Sequence, residues 1–398
     1  MRALKQLNTL SKLFLFISAT AILQGCYVGR YFYYNFADIN DYKKFPSVEI
    51  EPNTNPYIFP YANTTLKLPQ SKDYDSFEEL LDKTKTVAFL VIKNDSIVYE
   101  NYLNKYADSS IVPSFSVAKS FVSALIGIAI SEGHINSIND PITHYLDFKN
   151  QEEIKPITIK DVLTMESGLK FTEVYYSPLA DVAKYYYGLN TEKYLYNIKV
   201  KSTPGDFEYI SVNTQILSEI IEASTGRTFL DYFNEKLWQP LQPEFAATWN
   251  QDSKKHENFK TFCCINARAR DFAKLGLLYL HDGNWNGEQI VPKDWVKEST
   301  SYKNKENRYL YSYQWWHNND VTKKNNEPLT RKDFFNIYKG ENLDQYDIQP
   351  VDDYFARGVL GQHIYVHPAS KTVIVRLGKR TGGVYWAAIL KEIAELNN

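Results

Sequence analysis

Two pairs of β-branched and aromatic runs stand near opposite ends of this chain, and one sheet can hold them only if the ends come together. Thr86–Ile92 and Ser96–Tyr102 flank the turn signal Asn94-Asp95, while Gly361–Val366 and Lys371–Leu377 flank His367-Pro368-Ala369-Ser370, so each pair reads as a hairpin. A lone hairpin is marginal in water, and the two together predict one antiparallel sheet assembled from distant segments. Between them helical patterns dominate. Ser116–Glu132 is apolar nearly all round and stops at Gly133, which predicts burial on most sides. Ile159–Glu166, Asn213–Ser224 and Ala267–His281 each end on a Gly C-cap, at Gly168, Gly226 and Gly283. Ser76–Lys83 and Tyr385–Glu395 predict a short amphipathic helix and a closing one. The fold class is therefore α/β in the α+β sense: an antiparallel sheet from N- and C-terminal segments, flanked by helices, with a mostly helical subdomain inserted over roughly 110–285.

Composition excludes several functions. With 44% hydrophobic and 15% aromatic residues in 398, the chain has the apolar material for a large core and is not disordered. Its 45 Lys+Arg stand against 47 Asp+Glu without a basic block, which argues against nucleic acid as a partner. Cys26, Cys263 and Cys264 make no disulfide framework and have no metal-site spacing. His363 and His367 share a strand face without a third ligand, so no metal is expected, and the absence of a Gly-rich phosphate loop leaves no cofactor expected either.

The first 25 residues differ from the rest. Arg2, Lys5 and Lys12 precede the apolar run Leu13–Leu23, too short to span a bilayer but of export-signal length. The run ends in Leu23-Gln24-Gly25-Cys26, which resembles the lipobox of bacterial lipoproteins, where the cysteine is acylated and becomes the new N-terminus. Loss of three basic groups with residues 1–25 would take the net charge from −2 to −5. The expected organisation is a signal peptide at 1–25, an aromatic arm without clear periodicity at 26–70 and a catalytic domain at 71–398. The protein is expected to be exported and held by Cys26 on a membrane, facing the periplasm or the cell exterior.

The usual hydrolase signatures Gly-x-Ser-x-Gly and His-Glu-x-x-His are absent. Ser116-Val117-Ala118-Lys119 opens the buried helix instead, and a three-residue offset puts the hydroxyl and the amine on one face. Apolar neighbours would lower the lysine pKa and let it take the serine proton, while the helix N-terminus favours an oxyanion at Ser116. Ser167 and Lys170 have the same spacing across a helix-ending Gly168. On spacing alone, catalytic pair and ordinary helix residues both stay open.

Residues 113–134 (PSFSVAKSFVSALIGIAISEGH) resemble the nucleophile helix of the serine β-lactamase-like hydrolases, the superfamily of class C β-lactamases, penicillin-binding DD-peptidases and related esterases and amidases. ITIKDVLTMESGL at 157–169, PGDFEYISVNTQILSEIIEASTG at 204–226, ARARDFAKLGLLYLHDGNWNGEQIVPKDW at 267–295, YSYQWW at 311–316 and ARGVLGQHIYV at 356–366 continue the resemblance in order, across roughly 75–398. It implies Ser116 as nucleophile, Lys119 as its activator and Tyr209 as general base and acid, with the Ser116 and Val359 N–H groups as oxyanion hole. Tyr209-Ile210-Ser211-Val212-Asn213 is similar to the branch of 6-aminohexanoate-dimer hydrolases and some esterases, which makes Ser211 and Asn213 network residues. The Lys-Thr-Gly of β-lactamases falls on Ala356-Arg357-Gly358. Gly358 would let the backbone approach substrate, and the missing lysine ammonium counts against β-lactams unless Arg357 replaces it. Tyr175, Tyr176 and Asp181 lie in a loop similar to a substrate-side loop, or are surface residues. Cys263 and Cys264 are expected to be buried and apolar in role. The implied function is a membrane-tethered serine hydrolase acting on a small ester or amide through an acyl-enzyme. A DD-peptidase or β-lactamase, or an idle binding protein on the same scaffold, are the alternatives.

Overall fold

The computed structural model describes residues 26–70, 74–301 and 311–398, apart from scattered positions between 326 and 341. The signal segment expected at 1–25 lies outside the described residues. The arm, expected to lack clear periodicity, begins with helix α1 (Tyr27–Tyr34) and continues into strand β1 (Ser47–Ile50). Helix α2 (Phe77–Lys83) is capped by the Ser76 hydroxyl, which accepts from Glu79 N at 3.2 Å. The first expected hairpin follows as β2 (Thr86–Lys93) and β3 (Ser96–Tyr102), turning at Asn94 and Asp95, both at positive φ.

After β4 (Val112–Pro113) a 3₁₀ turn at Phe115–Val117 leads into α3 (Ala118–Ser131). Helix α4 (Ile159–Leu163) opens with a capping box in which Thr158 and Asp161 exchange side-chain and backbone bonds. Helices α5 (Asp181–Tyr187) and α6 (Ser211–Thr225) come next, the latter ending at left-handed Gly226. Strands β5 (Ala247–Asn250) and β6 (Ile265–Ala267) precede α7 (Ala269–Leu280), the small hairpin of β7 (Asn284–Trp285) and β8 (Glu288–Gln289), and α8 (Lys293–Ser299). The stretch 110–285 thus carries short strands as well as helices. The chain closes with β9 (Tyr311–Ser312), β10 (Trp315–Lys323), β11 (Tyr346–Gly358), β12 (Gln362–His367), β13 (Thr372–Gly378) and α9 (Trp386–Leu396).

The main sheet is antiparallel, in the order β3-β2-β13-β12-β11-β10-β9. The two terminal hairpins meet where β13 pairs with β2, for example Val375 with Leu90 and Val373 with Ile92. Side chains alternate as the pleat demands: Leu90, Ile92, Val373 and Val375 enter the larger core, and Phe89, Val91 and Ile374 the smaller one on the other face. Helix α7 covers the larger face, with Gly276 so close that a Cβ there would sit 2.6 Å from Val373 Cγ1. Helices α2 and α9 cover the opposite face with Leu81, Trp386 and Leu390. A second sheet, ordered β1-β5-β6-β4, ties the arm to the domain. The turn before α3 abuts β11 and β12, while α3 itself packs on α6 and α8, so the nucleophile segment lies between sheet and helices.

Candidate active site

The sequence places Ser116 one turn before the point where α3 becomes regular. Strand β4 anchors the approach through Ser114 N–H to Ile265 O at 2.9 Å, and Phe115 then takes φ 45°, a conformation costly for an aromatic residue. The strained turn leaves Ser116 partly exposed among buried neighbours. Gly358 at the end of β11 closes on this turn: a Cβ there would lie 2.4 Å from Ser114 O and 3.2 Å from Ser116 N. Val359 and Leu360 follow directly, and the Arg376 guanidinium donates to Leu360 O (2.9 Å) and Gly361 O (2.8 Å), fixing the turn that carries them.

Lys119 is buried, with a relative exposure of 1%. Its Nζ donates to Phe262 O at 2.7 Å and reaches Ser116 Oγ and Ser211 Oγ, both at 3.3 Å. Burial pushes its pKa down to about 8, and the nearby Glu173 carboxylate opposes that shift. The Tyr209 ring centroid lies 5.5 Å from the same Nζ. Its ring stacks on Trp316 (5.3 Å) and meets Tyr311 edge-on (5.8 Å), so β9 and β10 hold it beside the lysine.

Glu173 is the group that sequence reasoning missed. Its carboxylate accepts from Ser211 N (2.8 Å), Ser211 Oγ (2.6 Å) and Tyr175 Oη (2.6 Å). It thereby caps α6 at its positive end and aims Ser211 at Lys119. The sequence singled out Tyr175 two residues on, but the partner of Glu173 is 38 positions away and no local spacing reveals it.

Of the other expected site residues, Ser211, Tyr175 and Val359 line one cavity with Ser116, Gly358 backs it, and Cys263, expected only to be buried, lines it too. Arg357 stands beside it, half-buried, and its charge acts on Tyr175 and His363. Two of the expected residues lie apart from this cavity. Asn213, two positions beyond Ser211, turns to the other side of α6 and is buried against Met165 Sδ (3.4 Å) and Ser167 Oγ (2.8 Å). Asp181 starts α5, accepts from Thr172 N at 3.0 Å and pairs with Lys184 at 2.6 Å, facing a separate cleft. Tyr176 is 79% exposed and also outside the cavity. The spacing match Ser167/Lys170 is no pair, since Ser167 is buried on Asn213 and Lys170 is exposed. Cys263 and Cys264 are buried as expected and are joined to each other by a disulfide between neighbours. Cys26, exposed, precedes α1. Among the described residues no cluster of His, Cys, Asp and Glu could hold a metal ion, and no helix is long and apolar enough to cross a membrane.

The Beta-lactamase family model matches residues 75–397, which spans both the Ser116 turn and the Gly358 strand. The chain belongs to the beta-lactamase family. Within the family it is similar to the 6-aminohexanoate-dimer hydrolase of Paenarthrobacter ureafaciens, 26% identical over 60% of this chain, and the match spans 66% of that relative's own length. It is also similar to the teichoic acid D-alanine hydrolase of Staphylococcus aureus strain MRSA252, 24% identical over 79% of this chain and 68% of the relative. A solved structure from Bacillus anthracis, provisionally assigned as a 6-aminohexanoate-dimer hydrolase, shares the fold with a TM-score of 0.71 at 24% identity, covering 88% of this chain and 91% of its own. The penicillin-binding protein of Bacillus halodurans shares it with a TM-score of 0.56 at 16% identity, over 80% and 98%. The two curated relatives named here are hydrolases, and the fold is that of β-lactamases and penicillin-binding proteins.

Proposed function

We propose that this protein is a serine hydrolase of Ser-Lys-Tyr type that cleaves an ester or small amide through an acyl-enzyme on Ser116, tethered to a membrane through Cys26. The observation that carries the reading is Lys119, an amine buried against Ser116 and Ser211 with a pKa near 8. At pH 7 about a tenth of such an amine is neutral, against a few parts in ten thousand for an ordinary lysine. Neutral Lys119 takes the Ser116 proton as Oγ attacks the substrate carbonyl. The oxyanion then meets the N–H groups of Ser116 and Val359, a pairing supported by the close approach of neighbouring Gly358 to the Ser116 turn. Tyr209 passes a proton to the leaving alcohol or amine, leaving the acyl ester on Ser116. The Tyr209 phenolate left beside protonated Lys119 then takes a proton from the water that attacks the acyl ester, and Lys119 returns its proton to Ser116 Oγ as the acid departs. Ala356, buried where β-lactamases carry a lysine, offers no ammonium for a β-lactam carboxylate.

A fluorophosphonate probe should label Ser116, and Ser116→Ala should abolish labelling and turnover of chromogenic esters. Lys119→Ala and Tyr209→Phe should each lose on the order of 10²-fold or more. The double variant should be little worse than the worse single, because the groups act as a unit. Turnover by Ser116→Ala, or efficient cephalosporin hydrolysis by the native protein, would overturn the assignment. Cys26→Ser should move the protein from the membrane fraction to the soluble one, and a variant still held by membranes in high salt would rule out the tether.

A further inference from the structure

The cavity beside Ser116 has a volume of 210 Å³, and among the described residues that line it none is charged. An apolar cavity of about 150 Å³ admits a benzene ring, so this one takes a larger group. Four of its walls are tyrosines whose hydroxyls are already occupied. Tyr186 donates to Asp41 Oδ2 (2.7 Å), Tyr187 to Asn35 O (2.7 Å), Tyr175 to Glu173 (2.6 Å) and Tyr31 to Tyr175 O (3.4 Å). The rings, with Val182 and Ala183 of α5, are what a guest meets. A charged terminus entering there would lose its water against ring faces, since the nearby Glu173 carboxylate is already engaged by Ser211 and Tyr175.

We propose that this cavity is an acyl pocket for an uncharged, apolar group, a hydrocarbon chain of about four or more carbons or a ring. The proposal rests on Ser116 being the nucleophile. The pocket lies on the acyl side because Val359 lines it and Tyr209, which serves the leaving group, does not. The N-terminal arm completes the wall. Tyr31, Phe36 and Ala37 all line the cavity, and Tyr31 is held edge-on against Tyr187 with ring centroids 5.4 Å apart. Those residues precede the family match, which begins at residue 75, so this wall lies outside the segment that defines the family. It selects a chain without the terminal ammonium that a 6-aminohexanoyl or alanyl group carries.

The test is a series of p-nitrophenyl esters from acetate to octanoate on the full-length protein, with 6-aminohexanoate as the charged counterpart of hexanoate and a parallel series of acetates varied in the alcohol. We expect kcat/KM to rise at least tenfold from acetate to hexanoate, the ammonium-ended chain to fall at least tenfold below hexanoate, and the alcohol series to stay flat. Ala183→Phe should fill the pocket and cut the hexanoate-to-acetate ratio at least tenfold. Phe36→Asp, at a half-exposed position on the cavity wall, should lower the same ratio by charging the mouth, with far-UV circular dichroism and melting temperature read alongside to show that the variant is folded. A flat acyl series, preference for the ammonium chain, or dependence on the alcohol instead would overturn the pocket while fluorophosphonate labelling of Ser116 left the hydrolase reading in place. Loss of labelling together with all ester turnover would instead remove the reading beneath it.

Discussion

An amine withdrawn from water is a costly base to build, and Lys119 shows what the protein gains by it. On the proposed mechanism only neutral Lys119 takes the Ser116 proton, and its folded pKa is lowered to about 8, so kcat/KM for an ester should climb as pH rises and level off above about 8. Glu173 holds that value up against burial. Glu173→Gln should therefore shift the acid limb to lower pH, whatever it costs in rate by releasing Ser211. A profile flat from pH 6 to 9 would exclude Lys119 as the base, and a limb moved upward would contradict the role given to Glu173. At this scale the sequence disclosed Ser116 and Lys119, because three residues along one helix are a local relation. It disclosed Tyr209 and Ser211 through motif order. Glu173 stayed hidden because its meaning lies in a contact across 38 positions, and Asn213 misled because adjacency in sequence is not adjacency on a helix face.

At the scale of elements, the chemistry depends on β11 ending hard against the turn before α3. Gly358→Ala puts a methyl group 2.4 Å from Ser114 O, where only backbone can yield. Overpacking of this kind costs about 1–3 kcal/mol. We expect a folded variant whose melting temperature falls by a few degrees and whose kcat falls at least tenfold with KM less affected, since Val359 N–H moves with the strand. Unchanged kcat in the folded variant would separate the strand from the oxyanion site. Hairpins β2–β3 and β12–β13 were legible because period-two alternation and turn chemistry are written in adjacent residues. The Gly226 cap of α6 was legible for the same reason, whereas α4 stops at Thr164, short of the Gly168 expected to cap it. Helix α1 was not, since YVGRYFYY has aromatics on every side and folds as a helix only by packing Tyr31 against α5 and the arm's own Phe36.

For the whole molecule, acid is the weak direction. Burial lowers the pKa of His317 to about 4 and, with the nearby Arg357 charge adding to it, that of His363 to about 3. Between pH 6.5 and those values the unfolded chain binds protons that the folded one refuses, so stability present above pH 6.5 is lost as pH falls. At about 1.4 kcal/mol per unit the two account for several kcal/mol. The urea midpoint should drop between pH 7 and pH 4.5 with little change in slope, and a His317→Gln/His363→Gln double variant should drop less. An equal drop would assign the sensitivity to carboxylates. The joining of distant strands also orders events in time. Strand β2 emerges early in synthesis with β3 beside it, yet its other neighbour, β13, is residues 372–378 of a 398-residue chain. The ribosome must deliver about 280 further residues after β2 before β13 can pair with it, so the centre of the sheet closes late in synthesis however early the first hairpin forms.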